Sequence, residues 1–421
     1  MKVALVHDYL NEFGGAERVL EALCEIYPNA PIYTAFYKEG STAYERFKKR
    51  KIITSWAQSV PFFSSILHSP LRFLAPLIWS SFDFSKYDVV IGSSSWYVTK
   101  GFRKSDPSTR FSRSGFQSPV EICYCHTPPR YLYGYTTSID WKKNPLVRIY
   151  GVLVNHFMRV YDFEAAQRVD WFIANSREVQ SRIKKFYRRE STVIYPPVDV
   201  GKFAGPVSSF PPASARLGKS GRVGSESVNL RAVGNPSIAA TRKFFLVVSR
   251  LVASKNVDLA VEVCRNLNLP LKVVGTGREL ENLKAVSGDK SNIEFLDEVK
   301  DDQLTGLYQN CRAVIFAASQ EDFGIVPVEA MAAGKPVIAL AEGGVLESVI
   351  DWSVGGKGKC TGIYFDPATA GSLALAINNF MDLEKKGYFD SKFIKKHAQK
   401  FSKERFKREM KSFVERKLRN T

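Results

Sequence analysis

The chain has 421 residues, of which 45% are hydrophobic and 24% are charged, with 60 basic residues against 42 acidic ones. Because single domains usually span about 100–200 residues, this length predicts two domains. The apolar fraction excludes a disordered chain, and 20 prolines with 28 glycines exclude a collagen-like one. The six cysteines form no CxxC pair, which favours a reducing compartment and argues against a structural zinc site.

The net charge of +18 is concentrated near the C-terminus, where residues 385–421 hold 14 Lys or Arg against 4 Asp or Glu. Such a field attracts phosphates, anionic lipid headgroups or nucleic acid. No signal peptide is predicted, because Asp8 interrupts the first apolar run. The most apolar window, Pro61–Phe82, contains His68 and Arg72 and is therefore not expected to span a membrane. The sequence predicts a soluble, cytoplasmic protein or one that lies on a membrane surface.

Short apolar runs alternate with amphipathic helical patterns from one end of the chain to the other. The first set of runs predicts strands at Lys2–His7, Asp88–Ile91, Val120–Cys125, Trp171–Ala174 and Thr192–Tyr195. The second set predicts strands at Phe244–Val248, Leu271–Val274, Ile293–Leu296, Ala313–Phe316, Val337–Leu340 and Gly362–Phe365. Because strands that alternate with helices form parallel sheets, the two sets predict two doubly wound α/β domains.

Residues 204–241 separate the two sets, and 16 of these 38 residues are Gly, Pro or Ser. This composition predicts a mobile linker, since it provides too little apolar surface to fold alone. A second polar stretch, 103–119, predicts an exposed loop. The two domains are then expected at 1–203 and 242–400, followed by a basic helix at 401–421. Apolar residues recur in that helix at helical intervals and are expected to pack against the protein.

The segment EDFGIVPVEAMAAGKPV, residues 321–337, follows the predicted strand Ala313–Phe316. Pro327 suits the first position of a helix. The backbone N–H groups of Ile325 and Val326 would then be free at the helix N-terminus, where they favour a phosphate.

Two carboxylates flank this predicted anion site. Glu329 is expected in the first helical turn and Glu321 in the loop before it, and carboxylates accept hydrogen bonds from vicinal hydroxyl groups. Polyhydroxyl recognition is one interpretation. The alternative for Glu329 is a favourable interaction with the helix dipole.

The segment VVSRLVASKNVDLAVE, residues 247–262, places two cations after a predicted strand. Arg250 and Lys255 could stabilise the charge of a leaving diphosphate; the alternative is a solvated loop in a basic protein. No Asp-x-Asp pattern stands near a strand end, so we expect these cations to act without a metal.

Candidate residues in the first half of the chain also follow predicted strands. Gly14 and Gly15 let the backbone approach a ligand closely, or simply form a tight turn. His126 follows an alternating strand and is either a catalytic or sugar-contacting group or a structural histidine. His7 and Asp8 end the first strand, at the edge of the site or as loop caps.

Six segments of the sequence resemble family 4 glycosyltransferases. They are HDYLNEFGGAERVLE, CYCHTPPRYLY, FIANSREVQSRIKKFY, VIYPPVDV, VVSRLVASKNVDLAVE and EDFGIVPVEAMAAGKPVIA. The similarity covers residues 1–101, 120–203 and 242–410. Within the family, the segments HTPPRYLY and EDFGIVPVEA most resemble those of bacterial mannosyltransferases of surface-polysaccharide assembly.

The resemblance implies a GT-B fold, in which two Rossmann-like domains face a cleft and a C-terminal helix returns to the first domain. It also implies metal-independent, retaining transfer of a hexose from a nucleotide sugar, for this subgroup mannose from GDP-mannose. The implied acceptor is a saccharide or a lipid-linked saccharide at an anionic membrane surface, and no nucleic acid is implied.

On this chain the resemblance assigns the diphosphate of the donor to Arg250 and Lys255 and its ribose to Glu329. The donor sugar and the distal phosphate are assigned to Glu321 and to a run of backbone groups. These backbone groups belong to Phe323, Gly324, Ile325 and Val326.

The resemblance also assigns His126 to the sugar near the reacting centre, and Gly14 with Gly15 to the phosphate from the opposite domain. Retention in this family resembles front-face attack, in which the leaving phosphate helps to take the acceptor proton. The groups expected to act in catalysis are then His126, Glu321, Arg250 and Lys255.

Two other functions are compatible with the sequence. A nucleotide-sugar epimerase or hydrolase of the same fold would rely on additional acid or base residues. A non-enzymatic polyanion-binding protein would explain the charge of +18, but no aromatic and basic stacking pattern accompanies the positive C-terminal segment.

Overall fold

The computed structural model of the protein describes residues 1–102, 118–135, 145–203, 244–288 and 292–419. The predicted linker 204–241 lies outside these ranges, as does the predicted loop 103–119 except for its last two residues.

The first domain is built on a seven-stranded parallel sheet with strand order β3-β2-β1-β4-β5-β6-β7. Its strands are β1 Val3–His7, β2 Ile32–Thr34, β3 Ile52–Thr54, β4 Val89–Ser94, β5 Val120–Cys125, β6 Trp171–Ala174 and β7 Ser191–Val193. Its helices are α1 Gly15–Ile26, α2 Thr42–Phe47, α3 Ala75–Ser80, α4 Pro145–Arg168 and α5 Arg177–Tyr187. Alternate residues of β1 enter different cores: Val3 and Leu5 pack on one face of the sheet, Ala4 and Val6 on the other.

The second domain is built on a six-stranded parallel sheet with strand order β10-β9-β8-β11-β12-β13. Its strands are β8 Phe245–Val248, β9 Leu271–Val274, β10 Ile293–Phe295, β11 Ala313–Phe316, β12 Val337–Leu340 and β13 Gly362–Phe365. Its helices are α6 Val257–Asn266, α7 Leu280–Ser287, α8 Asp301–Asn310, α9 Ile325–Ala332, α10 Val345–Ser348, α11 Trp352–Gly355, α12 Ala370–Lys385 and α13 Ser391–Ala398. A last helix, α14 Lys403–Arg419, follows.

Both sheets have the doubly wound topology, and the predicted α/β class with two Rossmann-like domains is confirmed. In each sheet the strand order reverses between the first and the fourth strand of the domain, β1 and β4 or β8 and β11. Ligands of such sheets bind beyond the carboxyl ends of the strands at this switch point. Two strands, β2 and β3, were not predicted from the sequence; each has three residues, and they form the side of the first sheet beyond β1.

The chain crosses between the domains twice, at neighbouring points. The side chains of Val198, Val200 and Phe203 pack into the core of the second domain, although the sequence placed residues up to 203 in the first. The N–H of Val198 donates to the carbonyl of Phe401 at 3.0 Å, and the N–H of Lys403 donates to the carbonyl of Val198 at 3.0 Å.

After the second crossing, α14 packs against α1 and the sheet of the first domain. Four of its apolar residues belong to the core that also contains β1 and α1; they are Phe406, Met410, Phe413 and Val414. Lys403 and Lys407 each donate to the carboxylate of Glu25 on α1, at 2.9 Å. The basic C-terminal segment is therefore an amphipathic helix with a buried apolar face.

Removing one of these buried side chains should destabilise the first domain. Phe406 is fully buried and its ring lies 5.8 Å from that of Tyr124. We expect Phe406→Ala to lower the free energy of unfolding by about 3–5 kcal/mol, because a large buried ring leaves a cavity. The exposed neighbour Arg408 provides the control: Arg408→Ala should leave chemical denaturation unchanged. Equal stability of the two variants would contradict the packing role of α14.

Candidate functional site

Contacts between the two domains lie at the carboxyl ends of the strands near both switch points. Arg18 on α1 pairs with Glu329 on α9 at 2.5 Å. Asp322, which follows β11, pairs with Arg130 at 3.0 Å and also with Arg182 on α5. These ion pairs define a cleft whose walls come from both domains.

The second-domain wall begins with the turn from β11 into α9. Gly324 has φ 84°, a left-handed conformation that favours glycine, and it caps a helix that begins at Ile325. The predicted helix start at Pro327 is therefore wrong by two residues. Pro327 is the third helical residue, where its missing N–H leaves no backbone acceptor unpaired. The N–H groups of Ile325 and Val326 lie in the first turn, as expected for an anion site.

Glu321 and Lys255 are brought together at this turn, although 66 residues separate them, and Lys255 donates to the Glu321 carboxylate. Burial alone would raise the pKa of Glu321, but the charge and hydrogen bond of Lys255 lower it below its ordinary value. Arg130 and Arg250 lower that pKa further. Arg250 is exposed, and within the described ranges no side chain pairs with it. The cluster thus combines an ionised carboxylate with three cations.

Glu329 is the fifth residue of α9, not the third as predicted, and is only 4% exposed. One of its carboxylate oxygens accepts from Arg18, and the other accepts from the hydroxyl of Tyr308 at 2.8 Å. The prediction of a first-turn position is wrong because the helix begins earlier. The helix dipole acts within the first turn, so it does not account for Glu329 at its observed position.

Phe323 contributes no side chain to the cleft. Its ring is buried in the core of the second domain, 5.5 Å from the rings of both Tyr195 and Phe401. Only its backbone can reach a ligand.

The first-domain wall approaches the same helix end. Gly14 caps α1 and Gly15 is its first residue. A Cβ atom on Gly15 would lie 3.1 Å from the side chain of Ile325. Gly15 therefore permits close approach of the two domains at the predicted anion site, whereas a Cβ on Gly14 would meet only Glu17 of its own domain.

Asp8 accepts hydrogen bonds from the loop that follows β4. Its carboxylate accepts from the N–H groups of Ser95, Trp96 and Tyr97 and from the hydroxyls of Ser95 and Thr99. With these hydrogen bonds made and with 3% exposure, Asp8 is a loop cap.

His126 and His7 are linked through one hydroxyl group. The Ser93 Oγ lies 2.8 Å from Nε2 of His126 and 3.0 Å from Nδ1 of His7. His7 Nε2 lies 3.1 Å from the carboxylate of Glu17. Burial lowers the pKa of His126 to about 4, so its ring is neutral at pH 7.

Several residues of this cleft were not identified from the sequence. They are Glu17, Arg18, Ser93, Asp322 and Tyr308, together with Arg130 and Arg182. Two glycine pairs, Gly275 with Gly277 and Gly343 with Gly344, also lie close to the loops of the cleft. A Cβ on Gly277 would lie 2.1 Å from the carbonyl of Leu251, and a Cβ on Gly344 would lie 2.3 Å from the carbonyl of Asp322. Each glycine pair directly follows a strand region, a signal that the sequence does contain.

Metal ligands do not assemble around these groups. Among the described residues, no three His, Cys, Asp or Glu side chains are placed to hold a metal ion. The six cysteines, including Cys123 and Cys125, are buried and free.

Comparison with known proteins finds a family match that spans the second domain. Residues 233–403 match the family model described as glycosyl transferases group 1. The alpha-1,3/1,6-mannosyltransferase ALG2 of Dictyostelium discoideum is 26% identical over 67% of this chain and 66% of that protein. An uncharacterized glycosyltransferase of Methanocaldococcus jannaschii, MJ1178, is 34% identical over 26% of this chain and 31% of that protein. The matched part of the chain thus spans about two thirds of the length of the ALG2 relative and about a third of the length of MJ1178.

Solved structures share the architecture over the whole chain. Sucrose-phosphate synthase from Thermosynechococcus elongatus superposes with a TM-score of 0.71 at 17% identity, covering 100% of both chains. Anabaena HepE in complex with UDP and glucose superposes with a TM-score of 0.67 at 18% identity, covering 99% of both chains. The chain has the GT-B fold, and its residues 233–403 match the group 1 glycosyltransferases.

Proposed function

We propose that this protein is a metal-independent, retaining glycosyltransferase that moves a hexose from a nucleotide sugar to a saccharide acceptor. The observation that carries the proposal is the cluster of Arg250, Lys255 and Glu321 beside the N-terminus of α9. Cations and free N–H groups at one point suit a diphosphate, because they stabilise the charge that grows on it as it leaves.

Glu321 of this cluster and His126 of the first domain suit the rest of a donor. Glu321 is ionised and lies within reach of the same cations, where it can accept from sugar hydroxyls. His126 is neutral, so it can position a hydroxyl but is a poor proton donor at pH 7. An epimerase or hydrolase needs an added acid or base, and this ring does not supply the acid.

We propose mannose from GDP-mannose as the donor group. The resemblance of HTPPRYLY and EDFGIVPVEA to mannosyltransferases supports it, as do the ALG2 mannosyltransferase relatives at 26% and 23% identity. The solved complexes of HepE contain UDP and UDP-glucose, so both classes of donor belong in the test.

The choice of donor and the roles of Arg250 and Lys255 are tested together. The protein is incubated with labelled GDP-mannose or UDP-glucose, and release of the nucleotide is followed. Arg250→Ala and Lys255→Ala should each lower turnover about a hundredfold, because each cation stabilises leaving-group charge. A chelator should leave the activity unchanged. Full turnover in both variants would contradict the role of the cluster, and no turnover of any nucleotide sugar by the wild type would contradict the proposed function.

Glu321 and Glu329 should affect the kinetics differently. Glu321→Gln, beside the sugar on which positive charge develops, should mainly lower kcat. Glu329→Gln should mainly raise the donor KM, since ribose contacts are made equally in the ground and transition states.

Thermal unfolding of the same two variants separates binding from stability. Glu329 also joins Arg18 to Tyr308, so a purely structural role predicts a lower Tm with unchanged donor affinity. That combination would refute the ribose assignment, and an unchanged kcat in Glu321→Gln would refute the sugar assignment.

We further propose that the acceptor is lipid-linked and that the first domain docks on an anionic phospholipid bilayer. The docking face, as we name it, comprises the exposed side of α4 and the segment 62–77. Tyr150 on α4 donates to the carbonyl of Pro70, and Arg72 donates to Asn155 at 2.9 Å, so the two elements adjoin. Large apolar side chains protrude from both; they are Phe62, Ile66, Phe73, Leu77, Ile149, Val152, Leu153, Phe157 and Val160.

The charge of the docking face suits anionic lipid. Residues 56–82 and 145–161 contain no Asp or Glu, whereas Arg148 and Arg159 are exposed beside the apolar side chains. Apolar patches of this extent mark interaction surfaces. Within the described part of the chain no helix is long and apolar enough to cross a membrane. The apolar side of α14 is buried in the first domain, so the docking face and not the C-terminal segment supplies the apolar side chains of the proposed membrane contact.

Liposome sedimentation tests the docking face. The wild type should sediment with anionic liposomes at low salt, sediment less as salt rises, and sediment weakly with neutral ones, since basic side chains near a charged surface are screened by salt. Ile66→Ser combined with Phe157→Ser should abolish sedimentation. Leu375→Ser on α12 is the matched control, because Leu375 is 72% exposed and Phe157 70%. Equal binding by the control and the double variant would contradict this surface.

A further inference from the structure

A chain of hydrogen bonds connects three buried side chains, from the neighbouring strands β1 and β4 and from the end of β5, to a partly buried carboxylate on α1. Glu17 belongs to α1, His7 ends β1, Ser93 belongs to β4 and His126 follows β5. The distances are 3.1 Å from Glu17 to His7, 3.0 Å from His7 to Ser93 and 2.8 Å from Ser93 to His126. His7 and Ser93 are 2% and 1% exposed, so water does not compete for these bonds.

We propose that Glu17, His7 and Ser93 are positioning residues that fix the tautomer of His126, with its proton on Nε2 and a lone pair on Nδ1. The direction of each link is fixed because neutral His7, Ser93 and neutral His126 each have one proton to give, whereas an ionised Glu17 has none.

The first link sets the direction. An ionised Glu17 can only accept, so His7 must carry its proton on Nε2, and in neutral His7 the Nδ1 atom is then an acceptor. The Ser93 hydroxyl donates its single proton to that Nδ1. Its oxygen can therefore only accept from His126, whose proton must lie on Nε2.

The surroundings of Glu17 support an ionised carboxylate. Its second oxygen accepts from the N–H of Gly14 at 2.8 Å, at the N-terminus of α1. Burial alone would raise the pKa of Glu17, but the hydrogen bonds from His7 and from this N–H lower it below its ordinary value.

The consequence for the ligand rests on the proposed function. Among the described residues, no side chain or backbone group forms a hydrogen bond with Nδ1 of His126. A lone pair at that atom accepts a hydrogen bond from a hydroxyl of the donor hexose and offers no proton. Glu17, which lies three links away, would thereby determine what the catalytic histidine can recognise.

Nitrogen-15 labelling of the histidines tests the tautomer without any substrate. The chain has five His residues, and His126→Gln assigns the signals of His126. In the wild type we expect the shift of a protonated nitrogen at Nε2 and of a bare nitrogen at Nδ1. Ser93→Ala and Glu17→Gln should both mix the two tautomers. Ser94→Ala, at an equally buried neighbouring position, should not.

Kinetics then test the consequence. Ser93→Ala should lower kcat/KM for the nucleotide sugar about tenfold, the value of one hydrogen bond. Adding Glu17→Gln should lower it no further, because the chain is already cut. Additive losses, or a wild-type His126 protonated on Nδ1, would overturn the proposal. The expected tautomer in a protein that turns over no nucleotide sugar would leave the hydrogen-bonded chain intact and refute the proposed function alone.

Discussion

The cleft depends on ion pairs that join carboxylates of the second domain to arginines of the first. Asp322 receives two arginines, Arg130 and Arg182, and Glu329 receives Arg18. Arg182 and Glu329 are almost fully buried, so separating the pairs without replacing them would leave charges without partners, which is costly. The same contacts place Gly15 of α1 against Ile325 in the first turn of α9. The geometry of the predicted donor site is thus a property of the closed pair of domains.

Topology accounts for where these groups lie. Because both sheets reverse their order at the fourth strand, the loops after β1, β4, β8 and β11 gather at two edges that face one cleft. Chain segments that are distant in sequence then become neighbours. Lys255 and Glu321 meet in this way within one domain, and Arg18 and Glu329 meet across the two.

The sequence was sufficient for the fold because parallel strands are buried on both faces and appear as continuous apolar runs. The bounds of Val120–Cys125 and Ala313–Phe316 agree with the structure to the residue. The short strands β7 and β10 were predicted one or two residues out of place at one or both ends, and β2 and β3 were not predicted. Within the site, residues adjacent to strand ends were identified. The partners of Glu329 were not, because Arg18 lies 311 residues away and their pairing depends on how two separately folded domains meet.

The return of α14 has a consequence for biosynthesis. The residues that complete the apolar core beside α1 lie at positions 406–414, beyond the whole of the second domain. During translation the first sheet therefore emerges with one side of that core exposed, and it remains so until synthesis of the second domain is complete. At about 5–20 residues per second, the delay between residue 203 and residue 414 is tens of seconds or less. Over that interval the nascent first domain is a natural client for chaperones that bind exposed apolar surface.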